Sequence, residues 1–305
     1  MLANFMKLLL IENSLTDGDY AEAFAGGGAI AWSLLFGEFV HNVFINGISR
    51  PVMAFWRSVL NSTEDICRLI HDTPVDIEEW YQRRQIVRHP GDFSDLDLGF
   101  SSFFLNRTNR SGILQAGVIG GKAQNGDWKL DARYNKSDLL ARIERIAAYK
   151  SRIHLSQLDA ELFISDVLPT TSLQALVYLD PPYYIKGKEL YENHYIPGDH
   201  ERLSAAVQER IERPWVVSYD CHPQIVNLYL ARTQFQYDLS YSAQDRYFGT
   251  ELPIFSDQLR VPVMDRPAYI DARQVRDALL ATVRLDVRKR PRALSRPHPP
   301  AKLDS

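Results

Sequence analysis

The order of structural signals in the first fifty residues most constrains the fold of this chain. Residues 20–24 have the apolar character of a short strand and run directly into three consecutive glycines at 26–28. A helical pattern follows at 29–36, and a second strand pattern follows at 41–45. Strand, glycine turn, helix and strand in this order predict a parallel βαβ unit.

The rest of the chain divides into a helical middle and a second group of strands. In the middle, helical patterns occur at 52–70, 76–87 and 96–105. Glycine-rich turns or a hairpin follow at 111–128, and a helix capped by Ser137 comes after them. Strand patterns then return at 153–158, 175–179, 215–219, 235–241 and 251–255, with helices at 201–211 and 224–232 between them. A sheet that begins before residue 50 and resumes after 150 predicts an α/β domain with a helical insertion.

Composition excludes several classes of protein. The 305 residues are 45% hydrophobic, which suffices for one sizeable core, and the net charge is only −3. Cys67 and Cys221 lie too far apart for a CxxC pair, so the sequence predicts no disulfide framework and no metal site. No apolar run approaches the roughly 20 residues of a membrane span, and we expect a soluble, cytoplasmic protein.

Residues 284–305 differ from the rest of the chain because they combine basic residues with prolines. This composition predicts a disordered tail. An alternative interpretation is that the tail holds nucleic acid loosely through its positive charge.

The glycine turn has the features of a nucleotide-type ligand loop. Gly26, Gly28 and Ala31 fit the spacing GxGxx[GA] between a predicted strand and a predicted helix, where glycines allow close approach of the backbone to a ligand. A dinucleotide site would place an acid about 20 residues further on, but that place begins with Asn46 and Gly47. The loop alone is equally compatible with a simple chain reversal.

A second motif follows the apolar strand at 177–179, which ends in Asp180, Pro181, Pro182 and Tyr183. Two consecutive prolines hold the chain rigid and leave its carbonyls free to accept hydrogen bonds. The Asp180 carboxylate and the Pro181 carbonyl are suited to accept both N–H bonds of an exocyclic amine, while Tyr183 offers a stacking face for a flipped base. This arrangement favours chemistry at the amine of a nucleobase.

The glycine turn and the Asp-Pro-Pro-Tyr segment together resemble adenine-specific DNA methyltransferases in which the cofactor loop precedes a helical target-recognition region and then the catalytic motif. The resemblance spans nearly the whole chain and includes further matches at Phe104, Leu105, Asn106, Arg107, Thr108, Gly112, Gly120, Gly121, Lys122, Trp128, Lys129, Asn135, Lys136, Ser218, Tyr219 and Asp220. It implies a Rossmann-like class I methyltransferase sheet formed by residues 1–50 and 151–283, with the target-recognition insertion at 51–150 and the tail at 284–305.

The resemblance also implies a donor, a substrate and their contacts. S-adenosylmethionine would be held by Glu22, Phe24, Ala25, Gly26, Gly28, Asn46, Asp159 and Asp180. The target adenine of double-stranded DNA would be held by the catalytic residues Asp180, Pro181, Pro182 and Tyr183. DNA would contact Asn106, Arg107, Thr108, Arg110 and Lys122. The adenine would be flipped out of the duplex and methylated by direct transfer, with neither a covalent enzyme intermediate nor a metal.

Three departures from the family pattern fall on the cofactor side. Gly47 and Ser49 replace an acidic pair, Ala23 replaces a proline, and the family's Gly-Gly-Lys segment has no counterpart ahead of the first helix. They motivate an alternative, a catalytically impaired DNA-binding relative with a degenerate cofactor site. A further alternative is methylation of RNA or of the cytosine amine, although Asp180 in place of a serine favours adenine. We expect a monomer that acts alongside a cognate restriction endonuclease.

Overall fold

A computed structural model describes residues 2–184, 195–241, 247–262 and 270–289. Within them the chain forms one eight-stranded sheet in the order β3-β2-β1-β4-β5-β8-β6, with β7 also paired to β8. The strands are β1 Asp19–Glu22, β2 Asn42–Asn46, β3 Ile153–Ser156, β4 Leu176–Leu179, β5 Trp215–Asp220, β6 Thr233–Gln234, β7 Tyr237–Tyr241 and β8 Tyr247–Phe255. The predicted α/β sheet, begun before residue 50 and resumed after 150, is confirmed.

Eleven helices accompany the strands in the described part of the chain. They are α1 Leu2–Glu12, α2 Ala29–Phe36, α3 Arg50–Asn61, α4 Thr63–Asp72, α5 Ile77–Arg88, α6 Asp95–Thr108, α7 Lys136–Ala148, α8 Ala160–Leu162, α9 Pro197–Arg210, α10 Pro223–Leu228 and α11 Ala272–Lys289. Among these helices, none combines the length and apolar content that crossing a bilayer requires.

The five strands β3, β2, β1, β4 and β5 are parallel, and β8 runs antiparallel to β5 and β6. Every residue of β1 and of β4 is buried, as expected for central strands that are covered on both faces. Ala21 of β1 lies in register with Phe44 of β2 on one side and with Val177 of β4 on the other. This arrangement is a Rossmann-like sheet with β1 and β4 at its centre.

The helices α3 to α7 form the insertion between β2 and β3, and α6 is its centre because α3, α4 and α5 all pack on it. The fully buried Asn109 ends α6. Its Oδ1 accepts a hydrogen bond from Trp80 Nε1 at 2.6 Å, and its Nδ2 donates to the carbonyls of Ile113 and Leu114 at 3.0 and 2.9 Å. One side chain therefore fixes both the packing of α5 and the turn that follows α6.

Two helix boundaries differ from the sequence prediction. The single pattern at 52–70 is two helices, because Ser62 leaves the helical region at φ −139° and ψ 44°. Ser62 lies among Asn61 and Thr63, which are residue types whose side chains compete for backbone hydrogen bonds. The cap of α7 is Asn135, whose side chain accepts from the Asp138 amide, and not the predicted Ser137, which lies inside the first turn.

Three other segments also differ from expectation. The glycine-rich turns at 111–128 contain an isolated bridge between Asn109 and Val118 in place of a hairpin. The pattern at 235–241 contains β7 but begins two residues ahead of it, and the short strand β6 at Thr233–Gln234 precedes the pattern. Helix α11 passes through residue 284, where a tail was predicted to begin, and residues 290–305 of that tail lie outside the described residues. The domain boundaries themselves stay predictions.

The substitution Asn109→Ala is expected to destabilise the insertion. It leaves the buried Trp80 indole N–H and the two carbonyls without their partner, at a cost of about 2–4 kcal/mol in the free energy of unfolding. Urea denaturation followed by circular dichroism measures the loss. The exposed Asn125→Ala is the matched control and is expected to change stability by less than about 0.5 kcal/mol. Equal losses in the two variants would contradict this assignment.

Candidate active site

The candidate site lies where β1 and β4 end side by side. The Ala23 amide, just after β1, donates to the Tyr178 carbonyl of β4 at 3.1 Å. The neighbour of β1 on its other side is β2, so the chain leaves β1 and β4 towards opposite sides and opens a crevice at their carboxyl ends. Glu22, the last residue of β1, and Asp180, the first after β4, therefore lie at the same edge of the sheet.

The predicted glycine loop follows β1 and begins α2. The Ala25 amide donates to the Asn46 carbonyl at 2.8 Å, which ties the loop to the end of β2. Gly28 has a φ of 60°, a left-handed conformation that suits glycine, and it precedes the first residue of α2. Gly26 and Gly27 are exposed, and no atom lies within 4 Å of the position that a Cβ would take. Their backbone faces open space.

Two tryptophans bind the carbonyl groups of this loop, and neither was predicted from the sequence to belong to the site. Trp56 Nε1 of α3 donates to the Gly26 carbonyl at 3.0 Å, and Trp32 Nε1 of α2 donates to the Gly27 carbonyl at 2.8 Å. Their ring centroids lie 4.9 Å apart. A sequence signal for Trp32 was its place one turn into the helix after the glycines, whereas Trp56 belongs to the insertion. The indoles fix the carbonyls and leave the loop's open side available to a ligand.

Asn46 is buried and uses its whole amide group within the protein. Its Nδ2 donates to the carbonyls of Ala23 and Leu158 at 3.0 and 2.9 Å. Its Oδ1 accepts from the Ser156 hydroxyl at 2.9 Å and from the Leu158 amide at 3.0 Å. The structure thus shows Asn46 joining the ends of β1, β2 and β3, and the predicted direct contact of its side chain with the donor stays a prediction.

The other predicted cofactor residues lie around the same strand ends. Asp159 is exposed after β3 and accepts from the Glu161 amide at 2.8 Å. Phe24 is half-buried, and its ring contacts Tyr195 edge-on at 5.9 Å. The carboxyl ends of β1 and β3 therefore present an aromatic face and an acid at the crevice.

The predicted catalytic segment begins at the end of β4. Pro181 and Pro182 are buried, while Tyr183 is half-buried and its hydroxyl donates to Glu251 Oε1 at 3.0 Å. The next amide, that of Tyr184, donates to Asp220 Oδ1 at 2.9 Å. The segment is thus fixed at both tyrosines. Glu251 was not predicted from the sequence to belong to the site.

The Tyr184 ring is packed in an aromatic cluster behind the catalytic segment. It stacks on His222 at a centroid distance of 4.2 Å and contacts His200 at 5.0 Å. His200 Nδ1 lies 3.0 Å from the Tyr219 hydroxyl of β5. Burial lowers the pKa of His200 and the charge of Asp220 opposes that shift, so the neutral imidazole is favoured in this cluster.

Two carboxyl groups in the crevice hold their protons unusually tightly. Burial, followed by the charge of Asp180, raises the pKa of Glu22 to about 8, against the opposing effect of the 3.3 Å hydrogen bond from Tyr20. Enclosure by protein atoms, followed by the charge of Glu251, raises the pKa of Asp180 to about 7. The Asp180 side chain nevertheless remains accessible to solvent, so a ligand can reach it. A positively charged ligand would favour the ionised forms.

The predicted DNA-contacting residues lie in the insertion, apart from the strand ends. Arg110 and Lys122 are exposed. Arg107 is half-buried and donates to Asn106 Oδ1 at 3.0 Å, while Asn106 Nδ2 donates to the Gly112 carbonyl at 2.9 Å.

Thr108 has a different environment from the other residues of this group. It is fully buried, and its hydroxyl donates to the Phe104 carbonyl at 2.8 Å. Its side chain therefore does not reach the surface, and the structure shows it packing within the insertion.

An open glycine loop after β1, an enclosed acid at the end of β1, and Asp-Pro-Pro-Tyr at the end of β4 lie at the same edge of the sheet. A model of the D12 class N6 adenine-specific DNA methyltransferases matches residues 2–242. The chain belongs to this family. The methyltransferase is therefore an enzyme of adenine methylation in DNA, as the sequence resemblance implied. No curated protein matches the chain.

Methyltransferases of this kind use S-adenosylmethionine, and the crevice fits such a donor. The donor carries a positive sulfonium and an ammonium group, which suit the acids Glu22 and Asp180. The open side of Gly26 offers backbone groups to the donor. Gly47 is explained by crowding, because a Cβ there would lie 3.0 Å from the Ala25 carbonyl oxygen.

The raised pKa of Glu22 predicts a pH dependence of stability. Because the folded pKa of about 8 exceeds the usual 4.5, the contribution of Glu22 to stability is complete below pH 4.5 and is lost as pH rises through 8. Glu22→Gln cannot ionise, so its stability relative to wild type is expected to rise by more than about 1.4 kcal/mol between pH 5 and pH 8. Urea denaturation at both pH values measures the difference.

The exposed Glu12→Gln is the control for this experiment, and its stability relative to wild type is expected to stay constant over the same range. A Glu22→Gln variant that behaves like the control would show that Glu22 ionises normally in the folded protein.

Proposed function

We propose that this methyltransferase flips an adenine out of duplex DNA and methylates its exocyclic amine by direct transfer from S-adenosylmethionine. The observation that carries the proposal is the position of Asp180. Its accessible carboxylate follows the central strand β4 and lies beside the end of β1, where the glycine loop begins. A base amine that binds Asp180 is thereby brought next to the loop that would hold the donor.

Three residues of the catalytic segment have distinct parts in this mechanism. The Asp180 carboxylate and the Pro181 carbonyl accept hydrogen bonds from the two N–H groups of the amine. These hydrogen bonds draw the nitrogen lone pair out of conjugation with the ring. The half-buried Tyr183 stacks on the flipped base and offsets part of the cost of flipping, which is about a few kcal/mol. The bound donor supplies an electrophilic methyl group. Positioning of the amine is the main catalytic contribution of the protein.

Asp180 is also suited to take up the proton that the amine releases. A carboxyl group with a pKa of about 7 is a much better proton acceptor near neutral pH than one with an ordinary pKa. Glu22 lies at the end of β1 beside the open glycine loop, where its carboxylate would bind the ammonium group of the donor. Glu22 thus serves the donor, and Asp180 serves both the amine and the positively charged donor.

The DNA-binding face is proposed to lie on the insertion around Arg107. The pKa of Arg107 is lowered by burial and then by the neighbouring positive charges of Arg133 and Arg142. Within the described ranges, no carboxylate lies within ion-pairing distance of these three guanidinium groups. A DNA phosphate would relieve their mutual repulsion and bind tightly for the same reason. The exposed Arg110 and Lys122 extend this positive surface.

A second candidate function is DNA binding without efficient turnover. The observation that favours it is the donor side of the crevice, where Gly47 and Ser49 bring no carboxylate and the Asn46 amide is fully engaged within the protein. Isothermal titration with S-adenosylmethionine separates the two functions, because an active enzyme binds the donor at millimolar concentration or below. A cognate restriction endonuclease, a monomeric state and a cytoplasmic location stay predictions from the sequence.

The substitution Asp180→Asn tests the proposed reaction. It retains the shape of the side chain but removes the charge that accepts from the amine, and methyl transfer is expected to fall by about 10²- to 10³-fold. Incorporation of tritiated methyl groups into duplex DNA, followed by hydrolysis to nucleosides, measures the rate and identifies the methylated base.

The exposed Asp166→Asn is the control for this substitution and is expected to retain the wild-type rate. Tritium label in cytosine would show that the substrate is not adenine. Label in RNA but not in duplex DNA would show that the substrate is not DNA. Unchanged transfer by Asp180→Asn would remove Asp180 from the mechanism.

The substitution Arg142→Ala tests the DNA-binding face. Loss of one phosphate contact is expected to weaken binding to all duplex sequences alike and to reduce the slope of log K against log salt concentration by about 1. Fluorescence anisotropy at several salt concentrations measures both effects. Arg145→Ala is the matched control, because Arg145 lies in the same helix but contacts the Phe36 ring at 4.2 Å. The same change of slope in both variants would contradict a local phosphate site.

A further inference from the structure

Glu251 is an acid of the candidate site that lies on β8, the strand beyond β5 in the sheet. It lies on β8 in register with Asp220, the last residue of β5, and its side chain is only 8% exposed. Its Oε1 accepts the hydroxyl hydrogen bond of Tyr183 at 3.0 Å. A nearly buried carboxylate therefore contacts the aromatic residue of the catalytic segment directly.

The antiparallel direction of β8 explains how Glu251 comes to this edge. The parallel strands β1, β4 and β5 present their carboxyl ends to the crevice, and β8 runs the opposite way beside β5. Residues 251–255 of β8 pair with β5, and Glu251, the first of them, consequently lies next to the carboxyl end of β5. A side chain on a paired strand is held more rigidly than one on a loop.

The bond between Glu251 and Tyr183 restricts the motion of the tyrosine ring. A hydrogen bond to an ionised acceptor is about twice as strong as one between neutral groups. The ring is attached at its other end to the backbone next to Pro182, whose φ is fixed by its pyrrolidine ring. The neighbouring Tyr184 amide is bound to Asp220. Backbone and hydroxyl together set the plane that the ring presents.

We propose that Glu251 is a positioning residue for methyl transfer, which acts by fixing the ring of Tyr183 in the plane where the target adenine stacks. The proposal rests on the proposed function, because it assigns Glu251 a part in binding the flipped base. Glu251 itself touches neither the base nor the donor in this role. Its effect passes through the Tyr183 hydroxyl.

A second consequence of the same position is electrostatic. The charge of Glu251 is the cause, after burial, of the raised pKa of Asp180. Among the residues that the structure describes, Glu22 and Tyr20 from β1 and Tyr219 from β5 also interact electrostatically with Asp180. Neutralising Glu251 should therefore lower the pKa of Asp180 and move the acid limb of the pH–rate profile to lower pH.

Single-turnover methylation of duplex DNA by Glu251→Ala, Tyr183→Phe and the double variant tests the positioning role. Each single variant loses the same hydrogen bond, and we expect each to slow the methyl-transfer step by about 10- to 100-fold with little change in KM. At a pH above the acid limbs of all variants, the double variant is expected to be no slower than the slower single variant, because each single variant has already lost the hydrogen bond that the two residues share. Losses that multiply would overturn the proposal.

Glu251→Gln is the conservative variant. Its side-chain oxygen still accepts from Tyr183, so we expect it to recover most of the rate that Glu251→Ala loses. Its acid limb should nevertheless lie at lower pH than that of wild type, whereas Tyr183→Phe should keep the wild-type limb. If Glu251 had only a structural role, Glu251→Gln would neither recover the rate nor shift the acid limb of the pH–rate profile. That result would overturn the proposal.

Fluorescence of 2-aminopurine at the target position, recorded with DNA and no donor, gives a readout independent of catalysis. Glu251→Ala and Tyr183→Phe are expected to change the emission of the bound base in the same way. Wild-type emission from both would count against the proposal. Transfer by wild type together with additive variants would overturn this inference alone, whereas absence of transfer by wild type would overturn the proposed function as well.

Discussion

The pairing of β1 with β4 at the centre of the sheet is the constraint on which the site depends. The hydrogen bond from the Ala23 amide to the Tyr178 carbonyl fixes how far each strand extends before its chain turns away. It brings an acid at the end of β1 next to an acid just after β4, although they stand 158 positions apart in the sequence. A shift of one residue in this register would turn the side chains at the strand ends to the opposite faces of the sheet. The glycine loop and the catalytic segment are correctly placed only in the observed register.

Several carboxyl groups close together in one crevice lower the free energy of unfolding, and packing elsewhere in the fold offsets this loss. Glu22 and Glu251 are nearly buried. In addition to burial, the charge of Asp180 raises the pKa of Glu22, and the charge of Glu251 raises the pKa of Asp180. The fold sustains this arrangement because strongly packed elements surround it, including the wholly buried strands β1 and β4. Sites that are destabilising on their own are characteristic of function, and a cationic ligand is the natural means of stabilising this one. Binding and folding are therefore coupled at the crevice.

Much of the fold could be predicted from the sequence because its signals are local. The glycine turn, the helix at Ala29–Phe36 and the apolar strand before Asp180 each carry their own pattern, and all three lie where the sequence placed them. The break at Ser62 was missed because the apolar periodicity continues across it from α3 into α4. The cap at Asn135 was missed because Asn135 and Ser137 are both good capping residues within two positions.

The site was predictable only where its residues belong to a contiguous motif. Asp180 and Gly26 were found because they stand in such motifs, whereas Glu251 and Trp56 act from distant elements that the sheet and the insertion bring to the crevice. A lone glutamate in a strand, or a tryptophan in a helix, carries no local signal of that contact. Their roles follow from strand order and helix packing, which periodicity does not specify.

The distribution of tryptophan gives the enzyme an optical property. Trp32, Trp56, Trp80 and Trp215 are each at most 8% exposed, whereas Trp128 in the insertion is 74% exposed. Collisional quenchers dissolved in water therefore have ready access to one indole of the five and poor access to the other four. The accessible fraction of the intrinsic emission reports on the insertion alone, and the protected fraction reports on the core and on the two indoles behind the glycine loop.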